Sequence, residues 1–244
     1  MTTLFISDLH LEADRPEITD QFLRFLETEA LSADSLYILG DLFESWVGDD
    51  DPNDHYAWIK QALGKLTRKQ VPVYFMHGNR DFMIGETFAS ETGVVLLTDP
   101  KVANIYGDRV LLSHGDAYCT DDVEYQSVRK MTRNPTWQAM MLQKSLEERL
   151  AFAAQACNAS RSRDDTLNED IVDVNCDAID TALRNAGVRT MLHGHTHRPG
   201  QYKNRIVTGA WETNGWLCRQ KDQRFRLECF SLANHYESET LHPD

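Results

Sequence analysis

The chain has 244 residues, 41% of them hydrophobic, with modest glycine and proline counts of 13 and 7. This length suits one substantial core, with or without an insertion, and the composition excludes a disordered chain. A formal charge of −13 argues against general nucleic-acid binding as the main task, since phosphate backbones reward a basic surface, though it leaves room for a local basic patch.

An apolar run from Leu4 opens the chain as a buried strand and ends in Asp8-Leu9-His10. Read as strand residues at i and i+2, Asp8 and His10 project from one face, where an acid and an imidazole can hold one metal ion; the alternative is a loop start or capped turn. Phe22, Leu23, Phe25 and Leu26 follow a helical pattern that ends near Leu31. Residues 35–39 form a second short apolar strand, terminating in Gly40-Asp41. A polar loop with Phe43, Trp46 and the acidic run 49–51 leads to a helix over 55–69. Residues 71–76 are a third strand running into His77-Gly78-Asn79-Arg80-Asp81, followed by a short helix over 82–92 and a short strand over 94–97.

Residues 102–105 and 109–113 read as a hairpin turned at Gly107-Asp108, whose second arm ends in His114-Gly115-Asp116. The segment 121–170 is predicted to be largely helical, with a further helix over 173–186. Residues 190–192 form a last buried strand entering His193-Gly194-His195-Thr196-His197. The tail 205–232 alternates as an antiparallel set of strands. Strands alternating with helices, joined later by antiparallel strands, predict an α/β fold. Five scattered cysteines, Cys119, Cys157, Cys176, Cys218 and Cys229, make no Cys-x-x-Cys pair, which fits reduced thiols and no structural zinc. No leader fits before Leu4 and no apolar run reaches membrane-spanning length, so the expected compartment is the cytoplasm.

Five strand ends thus carry residues of metal-binding type: Asp8/His10, Asp41, Asn79, His114 and His195/His197. In open α/β sheets, sites form beyond the carboxyl ends of the strands, so residues far apart in sequence can converge there. Each has a blander alternative. Asp41 can be a turn residue or helix cap, Asn79 a turn residue, and His114 a hydrogen-bonded core histidine. One shared site explains all five together better than five separate accounts. The donors are nitrogen and oxygen, which suits manganese, iron, cobalt or zinc without choosing among them.

In order along the chain, Asp8-Leu9-His10, Gly40-Asp41, Gly78-Asn79-Arg80-Asp81, His114-Gly115-Asp116 and Gly194-His195-Thr196-His197 resemble the blocks of the calcineurin-like metallophosphoesterases. The resemblance implies a four-layer α/β/β/α sandwich with a dinuclear site. Asp8, His10, Asp41 and His197 would bind one ion, and Asp41, Asn79, His114 and His195 the other, with Asp41 bridging. It also implies two-metal hydrolysis, in which a metal-activated hydroxide attacks phosphorus in line. Two divalent ions outweigh two ligand carboxylates and a hydroxide, so the site attracts phosphate; an Asp in place of Asn79 would reduce that excess.

Many of these enzymes that expel an alkoxide carry a histidine after the Gly-Asn pair as a candidate general acid. Here that position is Arg80, which stays protonated. A phosphate leaving group, with a second pKa near ~6, needs no proton, and a guanidinium can hold it in a forked geometry. Arg80 therefore predicts pyrophosphate cleavage; the alternative is a surface ion pair beside Asp81. Between Arg129 and Arg163 the charge changes sign: Arg129, Lys130, Arg133, Lys144, Arg149, Arg161 and Arg163 stand against Glu147 and Glu148 only. With Trp137, Met140, Met141, Leu146, Leu150 and Phe152 in the same window, one reading is an amphipathic cap that meets an acyl chain and an anionic membrane surface. The other is a helical pair packed on the core with a solvated basic face.

Longer blocks, Gly40-Asp41-Leu42-Phe43-Glu44, His77-Gly78-Asn79-Arg80-Asp81-Phe82, Cys119-Thr120-Asp121-Asp122 and His193-Gly194-His195-Thr196-His197-Arg198-Pro199, resemble the UDP-2,3-diacylglucosamine hydrolases of lipid A biosynthesis. That resemblance implies cleavage of this lipid-linked UDP-sugar to UMP and 2,3-diacylglucosamine 1-phosphate, with attack at the uridine-side phosphorus. It implies a manganese-dependent peripheral protein on the cytoplasmic face of the inner membrane, built as one domain over 1–244 with a helical cap at 121–170. It implies catalytic roles for Asp41, Asn79, Arg80 and His195, and substrate contacts from Asn79, Arg80, Asp122, Ser160, Asp164 and His195. Asp164 and Leu167 stand where the family carries an amide and a lysine; Leu167 cannot pair with a phosphate, so Arg161 or Arg163 is the expected substitute. No nucleic acid and no obligate protein partner is called for. Two alternatives stand beside this reading. A soluble dinucleoside polyphosphate or phosphodiester substrate would not need the apolar insertion, and a non-catalytic scaffold would not need the intact ligand positions.

Overall fold

Alternation along the first strand separates two cores. In the computed structural model, which describes residues 1–164, 169–232 and 239–240, β1 (Thr2–Ile6) sends Leu4 and Ile6 to one face and Phe5 to the other, and all three are fully buried. A strand buried on both faces needs a covering layer on each side. The rest of the chain supplies them. On from β1 come α1 (Pro16–Glu27), β2 (Ser35–Ile38), α2 (Asp54–Arg68), β3 (Val73–Met76), α3 (Glu86–Thr92) and β4 (Val95–Leu97). The hairpin β5 (Lys101–Ile105) and β6 (Asp108–Leu112) follows. Next are α4 (Val123–Thr132), α5 (Pro135–Leu142), α6 (Leu146–Asp164), α7 (Glu169–Val172) and α8 (Cys176–Ala186). The chain closes with β7 (Met191–His193), β8 (Gly200–Gln201), β9 (Arg205–Val207), β10 (Asn214–Lys221), β11 (Arg224–Ser231) and β12 (Glu239–Thr240).

Two sheets result. One runs β12-β11-β10-β1-β2-β3-β4, with β1 to β4 parallel, and the other β5-β6-β7-β9-β8. Leu4, Ile6, Leu36 and Ile38 pack under Phe22, Phe25, Ile59, Leu63 and Phe88 of α1, α2 and α3. Phe5, Leu39, Met76, Leu112, Leu192 and Leu227 fill the space between the sheets. Leu111 and Met191, on the far face of the second sheet, meet Ile179 and Leu183 of α8. These three cores make the expected α/β/β/α order. Local chemistry places the helices: Pro16 fits the first turn of α1, and Asn53 and Asn175 cap α2 and α8 by accepting backbone N–H bonds, satisfying donors a helix start leaves bare.

Two sequence expectations need correction. The β5–β6 hairpin turns at Tyr106-Gly107, both at positive φ, because Ile105 pairs directly with Asp108 and leaves a two-residue loop of the type that matches strand twist. The tail is not one antiparallel set. β9 joins the smaller sheet parallel to β7, while β10 and β11 extend the larger sheet beside β1. Alternation reports which face a residue takes, not which strand it will pair with or in which direction.

Phe5 stacks on Tyr37 at 5.0 Å and lies 6.0 Å from Phe225, joining the layers at the midplane. Phe5→Ala is expected to cost about 3–5 kcal/mol, read from urea unfolding of the wild-type and variant proteins; a loss under about 1 kcal/mol would contradict this packing.

Candidate metal centre

The ligand residues leave the parallel strands β1, β2, β3, β6 and β7 at their carboxyl ends. Asp8 and His10 do not, however, project as i and i+2 on a strand. β1 stops at Ile6, and Asp8 (φ +56°) and His10 (φ +50°) are both left-handed. Asp41, His195 and His197 share that conformation, at φ +51°, +69° and +53°. Such backbone costs a non-glycine residue of order 1–3 kcal/mol and persists only where the surroundings enforce it. Here Asp8 N donates to Gly40 O at 3.0 Å, His10 N to Asp41 O at 3.0 Å and Leu11 N to Leu42 O at 2.9 Å, so the two loops hold each other. Glycine is required where the loops cross. A methyl on Gly78 would stand 2.1 Å from Asp41 Oδ1, and one on Gly194 2.2 Å from Asp8 Oδ2.

The side chains converge as two triads. Asp8, His10 and His197 form one, and Asp41, His114 and His195 the other, each with ligand atoms within 4.8 Å of one another. Asp41 Oδ2 lies 3.9 Å from His10 Nε2 in the first triad and 3.7 Å from His114 Nε2 in the second. That is where a shared ligand has to be. Asn79 joins the second triad, with Oδ1 2.8 Å from His114 Nε2.

The atoms facing one another are electron-rich, which makes a direct test of whether cations fit. His114 Nδ1 lies 2.9 Å from the Leu39 carbonyl. With the ring proton placed there, Nε2 turns its lone pair toward the Asn79 oxygen. His10 and His197 likewise bring their Nε2 atoms to 3.2 Å. Lone pairs at these separations repel unless a cation, a proton or a metal ion, lies between them. The field points the same way. Burial alone would lower His114, yet Asp41, Asp116 and Asp8 overcome it and raise it to about 9. His195, pressed by burial and by the His114 charge, falls to about 3, and so offers a free nitrogen. The donor set fits divalent metal.

Neighbouring groups aim these ligands. Glu44 Oε2 sits 2.8 Å from His10 Nδ1, fixing the tautomer that leaves Nε2 for a metal. Asp8 accepts from Ser7 Oγ and from His195 N at 3.0 Å, and Ser7 meets Thr208 at 2.5 Å. Arg80 N donates to Asp41 Oδ1 at 2.8 Å. Asp81 is not the partner of the Arg80 side chain: it is fully buried and accepts from Gly78 N at 2.7 Å and Leu42 N at 2.8 Å. Burial and then the neighbouring Asp41 charge raise it to about 7. Among the described residues the Arg80 guanidinium makes no salt bridge, and it lines a cavity of about 750 Å³ together with His10, Asp41, Asn79, His195 and His197. Asp122 lines it too, and caps α4 by accepting from Tyr125 N at 2.9 Å. The side chains of Ser160, Arg161, Arg163 and Asp164, and Leu167 altogether, lie outside the described residues.

The insertion departs from its sequence reading in one respect. Its apolar residues do face the cavity, where Trp137, Met141 and Phe152 line it together with Trp46, Phe82 and Met83, and Trp137 packs on Phe82 at 6.2 Å. Arg129, Arg133 and Arg149, though, do not contribute to an outward basic face. Arg129 Nε donates to the buried Asp116 at 2.9 Å, and Arg133 Nη2 lies 3.5 Å from the same carboxylate. Arg149 is 3% exposed and bonds Val47 O at 2.6 Å and Asp50 Oδ1 at 2.7 Å. Composition counts charges without seeing the carboxylates that neutralise them. Sequence reasoning gave no role to Glu44, Asp116 or Tyr125, and read Arg129 and Arg133 only as part of a basic cap. One signal was present: Tyr125, Arg129 and Arg133 recur at every fourth residue and so share one face of α4.

The family model for calcineurin-like phosphoesterases matches residues 1–199. The chain belongs to the calcineurin-like phosphoesterase family. It is 48% identical to a UDP-2,3-diacylglucosamine hydrolase of Stenotrophomonas maltophilia (strain K279a) over 90% of this chain and 94% of that one. It is 47% identical to a UDP-2,3-diacylglucosamine hydrolase of Yersinia pseudotuberculosis serotype O:1b (strain IP 31758), over 94% and 99%. Among solved structures it is similar to an archaeal phosphodiesterase at a TM-score of 0.45 and 13% identity, over 94% of this chain and 100% of that one. Divalent metals serve this family, and the two triads are where this member has donors for them.

Gly194 is the sharpest test of the geometry, since a methyl there collides with both Asp8 and Ser7. Gly194→Ala is expected to weaken divalent-metal binding at least ~10-fold, measured by calorimetric titration of the metal-stripped protein. Wild-type affinity in the variant would contradict this arrangement.

Proposed function

We propose that this phosphoesterase hydrolyses the pyrophosphate of UDP-2,3-diacylglucosamine to UMP and 2,3-diacylglucosamine 1-phosphate, a step of lipid A biosynthesis. The observation that carries the reading is that one cavity is lined by His10 and His197 of the first triad, Asp41 and His195 of the second, Arg80, and apolar side chains of the helical insertion. A nucleotide sugar bearing two acyl chains needs a phosphate site and an apolar site in contact. A soluble dinucleotide does not need the second.

In this proposal Asp8, His10, Asp41 and His197 hold one divalent ion, and Asp41, Asn79, His114 and His195 the other, most simply Mn2+. Two ions held there supply Lewis acidity toward phosphate oxygens and lower the pKa of water enough for it to attack. The remaining work falls to side chains. Arg80, partly buried beside Asp41 and Glu44, binds the departing phosphate and gives up no proton, which suits an anhydride and not an alkoxide leaving group. Asn79 binds a phosphate oxygen without adding negative charge. Asp122, on the cavity wall, accepts a hydroxyl of the substrate, and Ser160 and Asp164 act from α6. Trp137, Met141 and Phe152 take the acyl chains and exclude water from them.

The protein would work as a peripheral protein at the cytoplasmic face of the inner membrane. No helix among the described residues is long and apolar enough to cross a membrane. Val123, Val128, Met131, Met140, Leu142 and Leu150, all within the insertion, are exposed large hydrophobics. With Arg129, Arg133 and Arg149 engaged inward, apolar contact outweighs charge in this docking.

Incubation with UDP-2,3-diacylglucosamine and Mn2+ in oxygen-18 water should place the label in UMP. Label in the sugar phosphate would overturn the site of attack, and absence of turnover would overturn the substrate. Arg80→His is expected to keep its metal while losing about 10²-fold or more in kcat, the scale of removing one charge-stabilising donor. Unchanged kinetics would remove Arg80 from the reaction.

A further inference from the structure

Asn79 and Arg80 lie on the loop 77–85 between β3 and α3, and its backbone is held from several sides. Gly78 N and Arg80 N are taken by the carboxylates of Asp81 and Asp41, and Arg80 O accepts from Trp46 N at 3.2 Å. The carbonyls of His77 and Gly78 are met from elsewhere. Arg133, at the C-terminal end of α4 in the insertion, donates from Nη2 to Gly78 O at 2.9 Å and to His77 O at 3.3 Å. Its guanidinium also stands 5.9 Å from the ring centroid of Phe82, two residues beyond Arg80. One cation therefore touches the loop before Asn79 and after Arg80.

The same guanidinium is tied to the next ligand loop. Asp116, two residues after His114, is fully buried. It takes Arg129 Nε at 2.9 Å and Tyr125 OH at 2.8 Å, with Arg133 Nη2 at 3.5 Å. Tyr125 in turn lies against the His195 ring, 5.7 Å between centroids. Three side chains on one face of α4 thus reach the loops of Asn79, His114 and His195, the second half of the centre.

We propose that Arg133 is a positioning residue for that half: by joining Asp116 to the His77 and Gly78 carbonyls it sets the loop that presents Asn79 and Arg80. Helix α4 then supports the metal centre as well as lining the cavity with Val128 and Met131, whereas α5 and α6 contribute Trp137, Met141 and Phe152 to the lining. The inference rests on the two-metal hydrolase reading and not on the identity of the lipid. Without Arg133, two carbonyls lose their donor and the loop loses its grip on both sides of Asn79.

Mn2+ titrated calorimetrically into the metal-stripped full-length protein tests this without substrate. For Arg133→Met, one of two Mn2+ affinities is expected to fall 10–100-fold, the usual effect of removing a group that orients a ligand, while the other changes little. With UDP-2,3-diacylglucosamine as substrate, kcat should fall about as far and KM should stay within about twofold. Arg133→Lys keeps the charge and should recover part of both losses; should Arg133→Met fail to fold, Arg133→Lys carries the test with a smaller fall confined to one of the two affinities. Lys60→Met, which removes an exposed pair with Glu91, is the control for loss of a salt bridge. Two wild-type Mn2+ affinities in the Arg133 variants, equal weakening of both sites, or a change confined to KM would each overturn the proposal. If wild-type protein turned over no UDP-2,3-diacylglucosamine yet the Arg133 variants lost one Mn2+, the substrate reading would fail and this one would stand.

Discussion

Asp8 and Asp41 are removed from water, at 0% and 2% exposure, and face one another across a group of imidazoles. Burying a carboxylate is expensive unless opposite charge and hydrogen bonds replace the lost hydration. Here the replacement is partial. Backbone and side-chain donors meet Asp8 from Ser7 and His195 and Asp41 from Arg80, and the rest of the negative field raises His114 to about 9 against its burial. A site that draws protons onto its own ligands is one built to hold cations. The left-handed backbone at Asp8, His10, Asp41, His195 and His197, and the glycines that let the loops touch, are the means by which the fold keeps these groups together.

Much of this was legible in the sequence because strand ends are marked twice, by an apolar run and by what interrupts it. Asp8, Asp41, Asn79, His114 and His195 each follow such a run, and their convergence follows from where parallel strands end. The four-layer order was carried by resemblance to the family, and the alternation of Leu4, Phe5 and Ile6 is its physical counterpart. What was not legible depended on contacts distant in sequence. The left-handed turn at Asp8 comes from pairing with residues 40–42, so no local pattern reveals it. The same holds for β9, whose partner is β7. Arg129, Arg133 and Arg149 were misread for a related reason: Asp50 and Asp116 lie outside the window in which their charge was counted.

The insertion has two jobs. α4 bears on the ligand loops through Arg129, Arg133 and Tyr125, and Val128 and Met131 of α4, Trp137 and Met141 of α5 and Phe152 of α6 line the apolar part of the cavity. Arg149 joins α6 to the loop of residues 47–50, next to Trp46, which also lines the cavity. In the proposed function, phosphate chemistry and lipid recognition would thereby fall on adjoining parts of one cavity that Arg80 also lines.

The central claim is that five strand ends assemble one dinuclear centre with Asp41 common to both ions. Anomalous diffraction at the manganese edge from Mn2+-soaked crystals tests it most directly. The account predicts two peaks about 3.5–4 Å apart, one beside Asp8, His10 and His197, the other beside Asn79, His114 and His195, with Asp41 between them. A single peak, or a pair in which Asp41 contacts only one ion, would contradict it.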